Sequence, residues 1–373
     1  MLVQSEPAPA AAAYPGSEPP PKGEPALTDA VRVCDPREDP DWDAQVARFP
    51  EATIFHTRAW CRVLADSYGH RPVYLLLRNN EPTWDACLPV LEVRSPLTGR
   101  RGVSLPFTDF CPCLSRNPAH GPALLTALLR QARLRHWRHA ELRQPGPVIP
   151  ISRPSLQYLA HTVDLSGGPE AMRARMDSAA RRNLRKAETS GLRVEIATTE
   201  AALADYYKLH CLTRRRHGLP PQPWRFFQNI ARHLLQNDLG MVVLVRKDQT
   251  VVAGAVFLHF GRQAVYKFGA SDLAAQQWRP NNLAMWTAMR YYALRDFSRL
   301  HLGRTSVANE GLRRFKTGLG GREEPLPVLC LESATGSTIP KSDRTEGFHT
   351  MIFRRLPLPC LRWAGQLLYP HMD

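Results

Sequence analysis

The sequence predicts an α/β protein built as two successive domains, and three observations lead to this fold class. The chain has 373 residues, of which 43% are hydrophobic, which is enough for about two domains with ordinary cores. Strand-like and helix-like segments alternate, and their order is similar in the two halves. The small residues Ser166, Gly167 and Gly168 stand between the halves, as expected of a linker.

The second half shows the pattern most clearly. Apolar periodicity predicts, in order, a strand at 192–197, helices at 200–216 and 223–236, strands at 241–247, 250–260 and 263–271, a helix at 280–297, a strand at 299–303, a helix opening near Glu310, and a strand at 325–331. The short links at 248–249 and 261–262 are typical of β-hairpins. The resulting order is β-α-α-β-β-β-α-β-α-β.

The first half gives a looser copy of this order. Strands are predicted at 31–35, 72–78, 83–93, 102–107, 140–143 and 158–165, and helices at 41–49, 57–69 and 121–135. The predicted division is a disordered tail rich in proline and alanine over 1–28, an N-terminal domain over 30–166, a C-terminal domain over 167–335 and an extension over 336–373.

Charge and composition narrow the choice of partners. The net charge of +15 suits RNA, a phosphorylated sugar or nucleotide, or an acidic membrane surface, although it also serves solubility. Cys111 and Cys113 are the closest cysteines, and their C-x-C spacing is not that of a zinc site, so no metal is expected. Without a signal peptide or an apolar run of about 20 residues, a soluble cytoplasmic protein is expected.

Lys316 is the most unusual single residue of the chain. It precedes a threonine in a glycine-rich stretch, but Phe315 stands where a phosphate-binding loop requires glycine. Leu312, Phe315 and Leu319 form an apolar helical stripe, and Lys316 falls at its margin. A lysine there either extends outward to solvent or meets an anionic group in a cleft. A helix-end lysine that offsets the helix dipole is the alternative.

A second candidate is the basic segment 172–188, taken as one helix. Met172, Met176, Ala179 and Ala187 share one face, and the basic flank consists of Arg175, Arg182, Arg185 and Lys186. Asp177 is placed to pair with Arg173 and Arg181. The basic flank suits the phosphates of tRNA or of a nucleotide-linked precursor, or it is an ordinary solvated face.

Five segments together resemble the FemAB family: HTRAW (56–60), LPFTDF (105–110), RRNLRKAETSG (181–191), VYKFGAS (265–271) and LGRTSVANEGLRRFKTGLGG (302–321). The resemblance covers about residues 32–332. It implies two tandem GNAT-like domains, each a mixed, largely antiparallel sheet flanked by helices, with the C-terminal domain catalytic. Members related to this family attach amino acids from aminoacyl-tRNA to peptidoglycan precursors, and others are acetyltransferase-like proteins near exopolysaccharide export genes.

The resemblance also implies roles for single residues. The Phe315-Lys316 pair would stabilise the oxyanion of acyl transfer. An arginine near residues 213–218 would contact the acceptor's phosphate, and Arg214 is the candidate for this contact. Tyr266 would orient the acceptor or relay a proton, although an ordinary core tyrosine explains it equally. Asp109 would accept a hydrogen bond from an acceptor amine, although it also suits a turn.

The junction 271–284 departs from the GNAT enzymes that use CoA. Those enzymes carry a glycine-rich loop whose amides bind the pyrophosphate, and SDLAAQQWRPNNLA contains no glycine. This weakens acyl-CoA as donor and favours aminoacyl-tRNA, without deciding between them. Direct transfer without a covalent intermediate is the simpler mechanism, and no tightly bound cofactor is expected.

These observations predict an acyltransferase that carries an aminoacyl or acyl group to an amine, or a hydroxyl, of a phosphorylated or lipid-linked cell-envelope or polysaccharide precursor. Two alternatives stay open: an acetyl-CoA-dependent N-acetyltransferase acting on a sugar or small amine, and a non-catalytic protein that binds RNA or a membrane surface. The C-terminal segment 350–373 mixes arginines with Trp363, Leu367, Leu368 and Tyr369. It either lies at the inner face of the membrane or packs back on the domain.

Overall fold

The computed structural model describes residues 30–78, 83–343 and 348–372. The predicted tail over 1–28 lies outside these residues. The strands are β1 Val31–Cys34, β2 Arg71–Pro72, β3 Tyr74–Arg78, β4 Trp84–Leu88, β5 Leu91–Ser95, β6 Gly99–Val103, β7 Leu114–Ser115, β8 His139–Arg143, β9 Leu156–Asp164, β10 Leu192–Ala197, β11 Gly240–Lys247, β12 Thr250–Phe260, β13 Gln263–Ser271, β14 Arg299–His301, β15 Thr305–Ser306 and β16 Gly321–Glu332.

The α-helices are α1 Trp42–Val46, α2 Arg58–Tyr68, α3 Gly121–Leu134, α4 Gly168–Arg175, α5 Ser178–Glu188, α6 Glu200–Arg216, α7 Trp224–His233, α8 Pro280–Ala293, α9 Glu310–Gly318, α10 Phe348–Arg355 and α11 Leu358–Leu368. The predicted order of the second half is confirmed from β10 to β16. Local signals explain this agreement. Thr199, for example, caps α6 by accepting a hydrogen bond from the amide of Ala202.

Some sequence predictions of single elements are wrong. The strand predicted at 102–107 is one of them, because β6 ends at Val103 and Leu105 and Phe107 have positive φ angles. The segment 172–188 is not one helix, because Asp177 is the N-cap of α5 and its carboxylate accepts a hydrogen bond from the amide of Ala180. Arg173 therefore pairs with Glu188 instead of Asp177. The strand predicted at 83–93 is divided into β4 and β5, which lie in different sheets.

The strands form two sheets. The smaller sheet has the order β1-β3-β4-β7. The larger one has twelve strands in the order β10-β11-β12-β13-β14-β9-β16-β8-β6-β5-β2, with β15 paired to β9 at the side. The larger sheet is mixed and largely antiparallel, since β13 with β14 and β6 with β8 are its parallel pairs within the described residues. Helices flank it, as the sequence predicts.

The larger sheet continues across the predicted domain boundary at residue 166. Strand β9 precedes that boundary, yet it pairs with β14, β15 and β16, which all follow it. Strand β16 in turn pairs with β8 of the first half. The two halves therefore share one sheet, and their division into separate domains stays a prediction.

The C-terminal helices α10 and α11 pack against α6. Leu361 and Tyr369 are buried there, and Gly365 lies directly on the backbone of Pro221. Of the helices in the described residues, none combines the length and the hydropathy needed to span a bilayer.

Candidate active site

The candidate site lies where two neighbouring parallel strands separate. The pairing of β13 with β14 ends at Val265 and His301, although β13 continues to Ser271. On the other side of β13, Phe257 faces Tyr266 and Val256 faces Phe268, so Lys267 is the extra residue of a β-bulge. The bulge turns the Lys267 side chain toward the first half of the chain.

Lys267 forms a buried ion pair with Asp109 from the first half. Its ammonium lies 2.6 Å from the Asp109 carboxylate, and the two side chains are 5% and 16% exposed. The ammonium also lies within 6 Å of the ring centroids of Phe55, Trp60 and Phe268, an aromatic enclosure that favours a cation.

The ion pair sets the charge state of both partners. Burial alone would raise the pKa of Asp109, but the charge and hydrogen bond of Lys267, together with the charges of Arg304 and Lys316, bring that pKa below its usual value. Burial lowers the pKa of Lys267, and Asp109 opposes that shift. Asp109 is thus an anion already paired within the protein, and its second oxygen faces the backbone amide of Arg304 at 3.5 Å.

A strained loop delivers Asp109 to this position. Leu105 and Phe107 both have positive φ angles, near 60° and 58°, which non-glycine residues adopt at an energetic cost. The guanidinium of Arg143 donates hydrogen bonds to the carbonyls of Leu105 and Thr108. Arg143 is itself buried and paired with Glu141. The strain is therefore held in place by a buried charged network under the loop.

Lys316 is buried, and this corrects its predicted place at the margin of the helix stripe. Only 3% of the residue is exposed, less than Leu312 and Phe315 of the stripe itself. Its ammonium donates to the carbonyl of Gly303 at 2.9 Å, the carbonyl of Arg304 at 3.2 Å and the hydroxyl of Thr305 at 2.9 Å. These three acceptors use its three N–H groups and fix the segment that follows β14.

Burial also makes Lys316 easier to deprotonate than an ordinary lysine. It lowers the pKa of Lys316 to about 8, and the negative charge of Asp109 opposes this shift. Near pH 7 the ammonium is the major form. Lys316 is therefore a cation held in a poorly hydrated place, where an electrostatic contact is worth more than in water.

A hydrogen-bonded chain leads from Lys316 to the surface. The hydroxyl of Thr305 lies 3.4 Å from Nδ1 of His161, and Nε2 of His161 lies 3.1 Å from the carboxylate of Glu323. Burial and then the charge of Lys316 lower the pKa of His161, so its ring is neutral at pH 7. Because a carboxylate only accepts, Nε2 carries the proton and donates to Glu323. Arg313 holds Glu323 with two further hydrogen bonds.

Tyr266 and Phe315 lie at the edge of one hydrophobic cluster, beside the separating strands. The Tyr266 ring packs on Phe257, with ring centroids 5.5 Å apart. Its hydroxyl occupies the space that a side chain at Gly269 would fill, so a side chain at this position of β13 would displace the Tyr266 ring. Burial raises the pKa of Tyr266 to about 12, and its hydroxyl stays protonated at neutral pH. The backbone carbonyl of Tyr266 approaches Gly303, one of the residues that Lys316 holds.

The predicted phosphate-binding residues are found in two separate places. Arg182, Arg185 and Lys186 are exposed on α5, a helix that contacts the Lys316 helix α9. Arg214 lies elsewhere, because its guanidinium donates to the hydroxyl of Tyr369 at 2.9 Å and to the carbonyl of Pro220 at 3.2 Å. Its role in holding an acceptor phosphate stays a prediction.

Sequence reasoning missed Lys267, Thr305 and His161. The sequence contains no sign of the role of Lys267, because alternation along a strand cannot show a bulge. Thr305 and His161 are ordinary residues of strands β15 and β9, and nothing in their local sequence connects them to Lys316. Within 30–78, 83–343 and 348–372, no group of three or more His, Cys, Asp or Glu side chains is arranged to hold a metal ion.

Comparison with known proteins gives one matching family model. A family model described as an acetyltransferase (GNAT) domain matches residues 174–317, which include β13, β14 and Lys316. No curated protein matches the sequence.

Among solved structures, FemX superposes with a TM-score of 0.61 at 13% identity, covering 79% of this chain and 96% of that one. The C-terminal domain of a lysylphosphatidylglycerol synthetase candidate from Agrobacterium fabrum superposes with a TM-score of 0.50 at 15% identity, covering 77% of this chain and 91% of that one. At these identities the likeness establishes the fold. Residues 174–317 therefore match a GNAT acetyltransferase domain, the chain has a FemAB-like GNAT fold, and the protein is an acyltransferase.

Proposed function

We propose that this acyltransferase moves an aminoacyl or acyl group to an amine, or a hydroxyl, of a cell-envelope or polysaccharide precursor. The observation that carries the proposal is the convergence of Asp109, Lys267 and Lys316 at the point where β13 and β14 separate. Buried cations at such a point suit a reaction that builds negative charge on a carbonyl oxygen.

The reaction is a direct displacement. The acceptor nitrogen attacks the carbonyl carbon of the donor, a C–N bond forms, and the bond from that carbon to the donor's ester oxygen or thioester sulfur breaks. One proton leaves the amine and ends on the departing oxygen or sulfur. Lys316 would reach the transient oxyanion by exchanging its longest hydrogen bond, the one to the carbonyl of Arg304 at 3.2 Å.

The junction between β13 and α8 favours a charged tRNA over CoA as the donor. In GNAT enzymes that use CoA, free backbone amides at this junction bind the pyrophosphate. Here many of these amides already donate within the protein, namely those of Asp272, Ala274, Gln276, Trp278, Arg279 and Asn282. The exposed basic group on α5 offers phosphate contacts of the kind that tRNA or a phosphorylated acceptor requires.

The acceptor class is supported by the name of one structural neighbour. The name lysylphosphatidylglycerol synthetase describes the joining of lysine to a lipid. An acetyl-CoA-dependent N-acetyltransferase is the second candidate, because the matching family model is described as an acetyltransferase domain.

A donor competition decides between these candidates. The full chain is incubated with tRNA charged with labelled amino acids, or with labelled acetyl-CoA, and with lipid-linked and nucleotide-linked envelope precursors. We expect label from tRNA to appear in an acceptor. Label from acetyl-CoA alone would establish the second candidate instead. Salt-sensitive RNA binding without transfer from either donor would show a binding protein and overturn both.

A further inference from the structure

The C-terminal helices present apolar and basic side chains to solvent. On α10, Met351 and Ile352 are 54% and 46% exposed, and on α11, Trp363 and Leu367 are 63% and 50% exposed. With the exposed Arg354, Arg355 and Arg362 they are what we call the C-terminal face, and the Arg362 guanidinium also lies 5.5 Å from the centroid of the Tyr207 ring. Large apolar side chains on two successive helices are more than the scattered exposed leucine that any protein shows.

These apolar residues are not needed to seat the helices. The inner side of α11 consists of Leu361, Gly365 and then Tyr369, which are buried against the loop around Pro221. Trp363 and Leu367 lie four residues apart on the opposite side. The helix is thus apolar on both sides, and its inner side already accounts for its packing.

The charge of this region is entirely positive over a long stretch. Residues 348–372 contain three arginines and neither aspartate nor glutamate, and Asp373 follows them. The basic end of α6, with Arg214, Arg215 and Arg216, lies nearby, because α10 packs against α6 and Thr350 lies directly against Gly218 at that end. Apolar and cationic groups without anionic ones are the composition that a negatively charged lipid surface attracts.

We propose that the C-terminal face docks on an anionic lipid bilayer, with Met351, Ile352, Trp363 and Leu367 entering the headgroup region and the arginines contacting lipid phosphates. RNA would use the arginines but would gain little from exposed methionine, isoleucine and leucine. The face would lie on the membrane rather than cross it, since α10 and α11 are short. This inference goes beyond acyl transfer, because the face would hold the protein at the bilayer whatever the donor or acceptor.

Flotation of the full chain with lipid vesicles tests the proposal without any transfer assay. Vesicles of phosphatidylcholine alone are compared with vesicles that also contain phosphatidylglycerol. We expect binding to the anionic vesicles only, weakening as salt is added. Each arginine near such a surface strengthens binding roughly five-fold, so the Arg354→Gln/Arg355→Gln/Arg362→Gln variant should bind on the order of 100-fold more weakly.

The apolar contribution needs its own variant. Trp363→Ser/Leu367→Ser should also lose vesicle binding, while Leu134→Ser/Leu294→Ser, which removes two leucines that are each 64% exposed elsewhere, should bind like the parent. The control for the arginine variant is Arg48→Gln/Arg100→Gln/Arg116→Gln, which removes three exposed charges from the first half. This control should bind the vesicles like the parent. Thermal melting checks that every variant is folded.

Three results would overturn the proposal. The parent chain would fail to float with anionic vesicles, or the Trp363→Ser/Leu367→Ser variant would bind as the parent does, or the arginine variant would bind as the parent does. None of these results bears on acyl transfer, which is measured separately with soluble donors.

Discussion

Asp109 and Lys267 are a buried ion pair between residues 158 positions apart, and their pairing joins the two halves of the chain at the candidate site. Taking two charges out of water is costly. The pair is tolerated because the two opposite charges attract each other inside an aromatic enclosure. Removal of either partner would leave the other buried and unpaired. The pair therefore positions the Asp109 loop against the segment that Lys316 holds.

We predict that Asp109→Asn lowers the free energy of unfolding by about 3–5 kcal/mol, because Lys267 keeps a buried charge without an anion. Urea denaturation of the full chain measures this loss. The Asp109→Asn/Lys267→Met double variant should regain part of it, and Asp272→Asn, at an exposed aspartate, serves as the control. Stability of Asp109→Asn equal to that of the control would contradict this account.

At the scale of elements, α11 is held by a close approach of backbones rather than by side chains alone. A side chain at Gly365 would overlap the carbonyl oxygen of Pro221, which cannot move aside as a flexible side chain can. Gly311 on α9 offers the contrast, since the nearest atom to an added methyl group there is 3.9 Å away.

Gly365→Ala is therefore expected to loosen the C-terminal helices. Overpacking of this kind costs roughly 1–3 kcal/mol, which raises the population of detached helix on the order of ten-fold. Limited proteolysis, followed by mass spectrometry of cuts within 348–372, measures the change. Gly311→Ala should be cut like the parent. Equal cutting of both variants would show that α11 is not seated in this way.

Local elements were well predicted, because their signals lie within a few residues of one another. The bounds of α6 and β13 agree with apolar periodicity and with the polar links between strands. The prediction failed at Asp177, where one capping residue outweighs a continuous helical pattern. It also failed for the burial of Lys316, because a helical wheel does not show the three hydrogen-bond acceptors at Gly303, Arg304 and Thr305 that bind the ammonium inside the fold.

At the scale of the whole molecule, the two halves exchange strands. Strand β9 completes the sheet of the second half, and β16 returns to pair with β8 of the first. Periodicity in the sequence cannot predict this strand pairing, because the paired strands are more than a hundred residues apart. For the same reason the sequence could suggest Asp109 and Lys316 as separate candidates, but not that they lie at one place.

The exchange predicts which fragments can fold. A fragment of residues 152–373 keeps β9 between β14 and β16, whereas a fragment of residues 167–373 loses this strand and exposes two sheet edges. We expect the first to be the more soluble and to unfold cooperatively, and the second to aggregate. Size-exclusion chromatography and thermal melting compare them. Equal behaviour of the two fragments would mean that β9 contributes little to the second half.

The central claim is that Lys316 stabilises the oxyanion of acyl transfer, and the pH dependence of the transfer rate in Lys316→Met tests it most directly. This role needs the charged ammonium, so the parent rate should fall as pH rises through about 8, where burial places the pKa of Lys316. Loss of one such donor lowers the transfer rate about 100- to 1000-fold. In Lys316→Met the fall in rate near pH 8 should also vanish. Arg314→Met, which removes an exposed cation from the same helix, should transfer like the parent. A folded Lys316→Met protein with the parental rate and pH profile would contradict the account.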